Sequence, residues 1–280
     1  MQVKFVPLII VGVLFHACVY AQQDSSHEID ATKLAFVSGV SASFIAAGHI
    51  QNYDAWWKGQ RSTFHFADDG VQYLHADKFG HNYFTFVMSD AVGQSFHWAG
   101  IKKSQALFYW GTLALLFQLY VEVEDGTHPN LGFSIGDGVA DITGAYYPLL
   151  QNEYPILNNM TFKYSINDAG NVAKGKHNTV IDDYESQYFW MSVKIPHLLF
   201  QTNNFLENFF NIALGYSVKG IERSASRANA ELYLALDYDF EAIPLEGTFA
   251  NSMKHILNYF HFHAPMMRIS QTVVTYGFRF

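Results

Sequence analysis

The hydrophobic period of this chain changes once, near residue 152, and this change constrains the fold more than any other feature. Before it, apolar residues recur at helical spacing; after it, apolar and polar residues alternate with the period of two that is typical of β-strands. We therefore predict an α+β fold, in which a four-helix unit in residues 22–152 precedes an antiparallel β-sheet in residues 153–280. The alternating runs are 160–166, 189–195, 212–219, 232–240 and 274–280.

Four helices are predicted before the change of period. Asp30 and Ser134 are expected to cap the first and the last, because a short polar side chain can accept from the free N–H groups of a helix start. The third helix is the most apolar, and its uncharged part approaches the lower limit of a membrane span. Polar residues at its end favour a buried core helix instead. The predicted ranges are 33–50, 70–98, 104–124 and 135–149.

Two arrangements remain open for the strand-rich half. About five strands are evident, whereas the smallest outer-membrane barrels have about eight. A sheet with one apolar face, packed against the helices, is therefore favoured over a small or partial barrel. Between the last two runs, Met253, Ile256, Leu257 and Phe260 keep a helical spacing, which predicts a short helix between strands.

Residues 1–21 have the organisation of a secretory signal peptide. Lys4 supplies the positive charge, residues 5–15 form a short apolar stretch, and Val19 and Ala21 are small residues before a cleavage site. Cys18, the only cysteine, is either removed with the signal or retained as a lipidated residue, and it excludes an intrachain disulfide. We expect an exported protein in the periplasm or outer membrane of a Gram-negative bacterium.

The composition narrows the range of partners and mechanisms. A net charge of −8 opposes binding to nucleic acid, which needs a basic surface. The sequence has no glycine-rich phosphate loop, serine-hydrolase motif or His-Glu-x-x-His motif, which argues against a nucleotide ligand and the commonest hydrolase mechanisms. The aromatic content of 17% and charged content of 15% are typical of a chain that contacts a membrane or lipid, and also of an aromatic core.

Three of the predicted helices carry a polar stripe within apolar sequence. On each helix the polar residues are three or four positions apart, so their side chains share one face. Burying unpaired charges is costly, so we expect the three stripes to meet. The expected cluster consists of Asp77, His81, Glu122, Asp125, Asp137 and Asp141, with Lys78 as a neighbouring cation.

Three roles are open for this cluster. His81, Glu122 and Asp137 have the nitrogen and oxygen ligands that suit a divalent metal as cofactor. Alternatively, His81 acts as a general base while one carboxyl acts as an acid. In the third interpretation, the residues form a buried packing network without chemistry.

Two weaker candidates lie outside the cluster. His261 and His263 alternate in an extended segment and have the spacing of a metal-binding pair. Trp56, Trp57 and Phe64 lie in an irregular aromatic segment that could line a pocket for an apolar ligand. Each is kept as a separate hypothesis.

The order of these residues resembles a known family. The patterns Asp77-Lys78-x-x-His81, Glu122-x-x-Asp125-Gly126 and Ser134-x-x-Asp137-x-x-x-Asp141 are similar to those of the YfiM-like predicted periplasmic lipoproteins. The resemblance implies an envelope location but no chemistry, because the function of that family is unknown. The Asp-Lys-x-x-His pattern is also distantly similar to VanZ-like membrane proteins, which implies lipid or cell-wall chemistry only by analogy.

The leading functional hypothesis is an enzyme at a membrane surface, a hydrolase or transferase that acts on a lipid or cell-wall substrate through the expected cluster. The first alternative is a structural or assembly protein of the outer membrane, in which the same residues are a packing network. The second alternative is a binding module for an apolar ligand. The sequence names neither the substrate nor a protein partner.

Overall fold

The computed structural model describes residues 28–167, 180–195, 205–221, 228–269 and 274–279. The predicted signal peptide, Cys18 and the terminal Phe280 lie outside these residues. Within them, helices precede an antiparallel sheet, and the predicted α+β class is confirmed.

Four long helices occupy the first half. They are α1 (Ala31–Asn52), α2 (Ala76–Trp98), α3 (Lys103–Gly126) and α4 (Ile135–Glu153). Both predicted caps are confirmed. Asp30 Oδ1 accepts from the backbone N–H groups of Thr32 and Lys33, at 3.0 Å each. Ser134 Oγ accepts from the backbone N–H of Asp137 at 3.3 Å.

Helix α2 begins six residues later than predicted. Leu74 and His75 have φ values of 49° and 63°, in the left-handed region that side-chain-bearing residues rarely adopt. The chain therefore makes a tight corner after Gly70, held by a 2.8 Å hydrogen bond from the His75 N–H to the Gly70 carbonyl. Apolar spacing continues through this corner, so periodicity alone does not reveal it.

The strands form one antiparallel sheet in simple sequence order. They are β1 (Met160–Ile166), β2 (Gln187–Val193), β3 (Phe210–Lys219), β4 (Asn229–Tyr238), β5 (Ala264–Ile269) and β6 (Val274–Arg279). Two short helices, α5 (Phe205–Phe209) and α6 (Thr248–Leu257), lie before β3 and before β5. Helix α6 confirms the predicted interruption. In the described residues β1 and β6 are the two edges, so the sheet is open rather than a closed barrel.

Strand β5 is absent from the sequence-based prediction. Its sequence, Ala-Pro-Met-Met-Arg-Ile, does not alternate clearly and contains a proline near its start. It pairs with β4 from Leu232 opposite Ile269 to Ala235 opposite Met266. Cross-strand pairing, rather than its own pattern, makes this segment a strand.

The chain divides into two compact units. The helical unit comprises residues up to 66, 84–133 and 141–153, and the sheet unit comprises residues 67–83, 134–140 and 154–280. The first turns of α2 and α4 thus belong to the sheet unit. The division of the chain into separate domains at residues 22–152 and 153–280 stays a prediction.

The core of the helical unit is apolar and aromatic. Val37 of α1 packs with Phe96 of α2 and with Trp110 and Leu113 of α3. Gly111 of α3 allows close helix contact, because a Cβ there would lie 2.5 Å from the Ala145 carbonyl oxygen of α4. Two segments of this unit, Ala31–Trp57 and Lys103–Gly126, are long and apolar enough to cross a membrane by length and composition.

The central strands of the sheet unit bury the face that carries both polar side chains and the hydrophobic core residues Ala213, Tyr233 and Ala235. In β3 and β4 the buried positions include Asn211, Ser217, Glu231 and Asp237, while the leucines between them are partly or largely exposed. The alternation itself was predicted, but its direction is opposite to the expectation that an apolar face packs inward.

Candidate functional site

The corner before α2 positions the first polar residues of the site. The hydroxyl of Tyr216 on β3 donates to the carbonyl of Leu74, and this bond ties the corner to the sheet. A Cβ on Gly70 would lie 2.8 Å from the His75 ring, so this close approach requires glycine. As a result, Asp77 and Lys78 lie in the first turn of α2, where the chain has just reversed past Asp69.

Lys78 lies at the centre of an acidic cluster in the sheet unit. Its ammonium nitrogen Nζ is 2.6 Å from Asp69 Oδ1, 3.0 Å from Asp137 Oδ1 and 3.1 Å from Asp77 Oδ2. A fourth contact, of 3.3 Å, joins Nζ to Ser134 Oγ. We call these five residues, Asp69, Asp77, Lys78, Ser134 and Asp137, the Lys78 cluster.

Ser134 connects the start of α4 to this cluster. Its hydroxyl donates to Asp69 Oδ1 at 3.0 Å while it accepts the cap hydrogen bond from the Asp137 backbone. Asp137 therefore lies in the first helical turn, where the helix dipole favours a carboxylate. Gly136 faces Lys78, since a Cβ there would lie 2.6 Å from Lys78 Cε.

The carboxylates of the cluster differ in their protonation. Burial, followed by the negative charges of Asp137 and Asp69, raises the pKa of Asp77 to about 7, against the weaker opposing effect of Lys78. Burial also disfavours ionisation of Asp69, but the hydrogen bond and charge of Lys78 outweigh it and hold the pKa of Asp69 below its usual value. Near neutral pH, Asp77 therefore retains its proton more readily than an ordinary aspartate.

Lys78 is held in its charged form. Burial alone would lower its pKa, but the hydrogen bond to Asp69 and the charges of Asp77 and Asp137 raise the pKa well above the usual value. A lysine that serves as a base or nucleophile needs a lowered pKa. This ammonium is therefore a fixed cation.

An aromatic pair lies near the cluster. The rings of Tyr73 and Tyr184 are 4.7 Å apart, between their centroids. Burial, followed by the charge of Asp77, raises the pKa of Tyr184 well above its usual value, so this phenol stays neutral.

Asp77 Oδ1 has no hydrogen-bond partner among the described residues, although the side chain is only 4% exposed.

The spacing of the carboxylates suits a cation. Oxygens of Asp69, Asp77 and Asp137 lie within 4.8 Å of one another, as the ligands of a divalent metal would. The Lys78 ammonium, however, already makes hydrogen bonds with all three. A metal among them would have to displace it and leave a buried ammonium without its partners. The trio therefore fits a built-in organic cation better than a metal ion.

The predicted site residues are divided between the two units. Asp77 and Asp137 meet in the Lys78 cluster, and His81 lies one turn after Asp77 on α2, half-buried. Glu122, Asp125 and Asp141 belong to the helical unit. A metal site formed by His81, Glu122 and Asp137 stays a prediction.

Asp125 and Asp141 have structural partners within the helical unit. Asp125 Oδ1 accepts from the indole Nε1 of Trp57 at 2.6 Å. Asp141 Oδ1 accepts from Thr85 Oγ1 at 2.8 Å and from Gln118 Nε2 at 3.3 Å. The bonds of Asp141 join α2, α3 and α4, and the bond of Asp125 joins the segment after α1 to α3. They satisfy polar groups within the apolar bundle.

The aromatic segment after α1 is mostly committed to packing. Trp57 is 1% exposed, and its ring packs edge-on against Tyr120. Phe64 contacts Gly126 and the rings of Phe66 and Phe133. A pocket for an apolar ligand at Trp56, Trp57 and Phe64 stays a prediction.

Asp69 is the member of the site that the sequence-based prediction missed. It lies nine positions before Lys78, and no helical spacing relates the two. The signal that could have found it is Gly70 beside an acidic pair, which is typical of a turn.

A second buried charged group lies on the buried face of the sheet. Asp237 Oδ2 is 2.7 Å from Lys163 Nζ and accepts from Ser192 Oγ at 2.6 Å. His261 Nδ1 lies 2.9 Å from Asp237 Oδ1, and the His261 ring stacks on Trp190 at 3.9 Å between centroids.

This second group does not form a nucleophilic triad. A serine nucleophile needs the histidine between it and the acid, so that the imidazole takes the hydroxyl proton. Here Ser192 and His261 both bind the same carboxylate, that of Asp237. The arrangement satisfies a buried ion pair instead. A metal site that joins His261 to His263 stays a prediction.

Comparison with known proteins finds a family match for part of the chain. Residues 65–153, less than half of the sequence, match the family described as "Predicted periplasmic lipoprotein (DUF2279)". No curated protein and no solved structure matches the chain significantly. The match includes all members of the Lys78 cluster and supports an exported, periplasmic protein of a family without known function. It agrees with the resemblance to predicted periplasmic lipoproteins, whereas the similarity to VanZ-like proteins stays a prediction.

Proposed function

We propose that this chain is an exported structural or assembly protein of the outer membrane, in which the Lys78 cluster holds the fold together and catalyses no reaction. One observation carries the proposal. The Lys78 ammonium makes hydrogen bonds with three carboxylates at once, from 2.6 to 3.1 Å, and so occupies the position where a substrate cation or metal would bind.

The cluster links three separate parts of the sheet unit. Asp69 belongs to the corner before α2, Lys78 to the first turn of α2, and Asp137 to the first turn of α4. A buried ion pair is a weak source of net stability, but removal of one partner leaves an unpaired buried charge and is strongly destabilising. Such a group fixes one packing arrangement, which is the property a structural protein needs.

An acid–base enzyme that acts on a lipid or cell-wall substrate is the second candidate. Three properties of Asp77 favour it: a pKa of about 7, one oxygen without a hydrogen-bond partner among the described residues, and a position two residues after the left-handed His75. An acid with such a pKa is suited to proton transfer near neutral pH.

The substitution Asp77→Asn separates the two candidates. Asparagine resembles the protonated carboxyl in shape and charge, so it preserves packing but cannot transfer a proton. The variant is expressed from its own promoter in a deletion strain, and uptake of a large dye by the cells is measured beside the protein level. We expect normal abundance and a dye uptake equal to that of the wild type.

One outcome would contradict the proposal. In it, the Asp77→Asn protein is present at the normal level, but the cells take up as much dye as the deletion strain. That result would establish proton chemistry at Asp77. Lys58→Met serves as the matched control, because Lys58 and Asp54 form an exposed ion pair that is not part of the cluster. Since exposed pairs contribute little, the control should behave as wild type.

A further inference from the structure

We infer that the outer face of the sheet, defined by Ile212, Leu214, Leu232, Leu234 and Ile269, contacts the hydrocarbon of a lipid bilayer. This inference concerns a surface and does not depend on the role of the Lys78 cluster. It rests on the direction in which the central strands bury their side chains.

Strands β3 and β4 alternate between buried and more exposed positions from Phe210 to Tyr216 and from Glu231 to Tyr238, whereas Ser217 and Val218 at the end of β3 are both buried. On one face, Ala213, Tyr233 and Asp237 are at most 1% exposed. On the opposite face, Leu214 and Leu232 are 58% and 56% exposed. The residues left in contact with the surroundings are thus the most apolar ones, which is opposite to the order expected of a sheet in water.

Ion pairs and hydrogen bonds between polar side chains hold the buried face of the sheet inside the unit. Lys163 pairs with Asp237, and Arg268 lies 2.9 Å from Glu231, which also accepts from the hydroxyl of Tyr233. Trp190 donates from its indole nitrogen to Ser165 Oγ at 2.9 Å. Because these polar groups bind one another, the sheet cannot turn its other face inward without breaking them.

The outer face is continuous across the strands. Leu214 is opposite Met191 of β2 and Leu234 of β4, and Leu234 is opposite Met267 of β5. The neighbouring row runs from Ile212 to Val193 and Leu236. No charged residue interrupts these rows in the described strands β1–β5. A patch of this kind, formed by several adjacent apolar side chains, marks an interaction surface rather than scattered exposure.

Part of the same face is already covered within the sheet unit. Phe79 of α2 stacks on Tyr216 at 4.6 Å, and Tyr83 stacks on Tyr164 at 5.3 Å, between ring centroids. Tyr164 and Tyr216 belong to the same row across the sheet as Leu232 and Ile269. The contacts with α2 are made at β1 and β3, while Leu232 on β4, Ile269 on β5 and Leu214 in the next row are exposed.

The backbone of the exposed region is compatible with hydrocarbon. Each unpaired N–H or C=O group in lipid costs several kcal/mol, so open sheet edges do not enter a bilayer. Here the exposed leucines lie on β3 and β4, which pair with β2 and β5 on their outer sides and with each other. The described edges, β1 and β6, lie away from this centre.

Aromatic rings mark one end of the outer face. Phe210 and Tyr238 are opposite each other where β3 begins and β4 ends, and their rings are 5.9 Å apart. Phe240 continues this group and contacts Phe262 at 5.0 Å. Tyrosine and other aromatic residues favour the boundary between headgroups and acyl chains. The order of a leucine-rich centre followed by an aromatic rim identifies lipid as the occupant.

The test uses a fluorophore attached to the full mature chain at a single cysteine. Cys18 is the only natural cysteine and lies in the predicted signal peptide, so Leu214→Cys gives a unique label. The protein is mixed with vesicles of phosphatidylethanolamine and phosphatidylglycerol, with or without brominated acyl chains. Ile156→Cys is the matched control, because Ile156 is 62% exposed, much like Leu214, but lies outside the sheet.

We expect the label at position 214 to be quenched by brominated lipid, by at least about twofold, and the label at position 156 to be unchanged. Leu232→Cys repeats the measurement on the adjacent strand. Vesicle binding without quenching at 214 and 232 would overturn the inference. So would quenching between labels in the absence of lipid, which would identify a second copy of the chain as the occupant.

A second readout uses charge in place of a label. Arginine on a lipid-facing strand opposes insertion, so Leu214→Arg should reduce vesicle-bound protein by roughly tenfold or more. Ile156→Arg should leave it unchanged. Equal binding by the two arginine variants, with both folded, would contradict a role of the outer face.

Discussion

Asp69 Oδ1 lies 2.6 Å from Lys78 Nζ, although the two residues are nine positions apart along a chain that reverses between them. The reversal depends on the left-handed residues Leu74 and His75, and the ion pair depends on the reversal. A local backbone conformation thus determines which carboxylate completes the Lys78 cluster.

Replacement of Lys78 by methionine should destabilise the protein strongly. The change keeps most of the side-chain volume but leaves Asp69, Asp77 and Asp137 without their shared cation. We expect a loss of about 3 kcal/mol in the free energy of unfolding, at the lower end of the range for breaking a buried pair, because Lys78 and Asp69 are partly exposed. Urea unfolding at neutral pH measures it. Lys58→Met should leave the free energy within error, and an equally mild effect of both changes would show that the cluster is not a packing element.

The stability of the protein should depend on the protonation of Asp77. Its pKa of about 7 in the folded state lies above the ordinary value of 3.8, so the folded protein binds the proton more tightly. The resulting stabilisation is complete below about pH 4 and is lost as the pH rises through about 7, by at most about 4 kcal/mol.

Asp77→Asn should remove this pH dependence, because asparagine does not titrate. Relative to wild type, the variant should gain stability from about pH 4 to about pH 7 and show little further gain above that pH. Thermal unfolding across that range is the measurement. Parallel curves for the two proteins would mean that Asp77 titrates in the folded state as it does in the unfolded chain.

Gly136→Ala should destabilise the folded protein, although alanine is usually favoured over glycine in a helix. The added Cβ would lie 2.6 Å from Lys78 Cε, and the four contacts of the ammonium prevent the side chain from moving aside. We expect a loss of about 1–2 kcal/mol. Gly39→Ala in α1 is the control, because nothing lies within 4 Å of its Cβ, and it should stabilise by about 0.5–1 kcal/mol.

Trp57→Phe should weaken the helical unit. It removes the indole N–H that donates to Asp125, and it leaves a carboxylate oxygen with one partner fewer. The expected loss is about 1–3 kcal/mol, measured by thermal unfolding. Asp125→Asn keeps an acceptor oxygen at that position and should cost less. A larger effect of Asp125→Asn would show that Asp125 has a further role that depends on its charge.

The features that could be predicted from the sequence are those with local causes. The N-caps Asp30 and Ser134 act within one helical turn, and the alternation in β1–β4 is visible in consecutive residues. The start of α2 could not be predicted, because Leu74 and His75 do not favour positive φ on their own. Strand β5 and residue Asp69 gain their positions only from distant partners. The direction of burial in the sheet was missed because alternation is the same whichever face is buried.

The central claim, that the Lys78 cluster is structural, is tested most directly by replacing all its charges together. A variant with Asp69→Asn, Asp77→Asn, Lys78→Met and Asp137→Asn removes every ionised group while it keeps side chains of similar size. Because no charge is left unpaired, it should recover most of the stability lost in Lys78→Met. The measurement is dye uptake by a deletion strain that carries this variant at normal abundance. The account predicts wild-type permeability; permeability equal to that of the deletion strain would contradict it and show that the charges themselves perform the function.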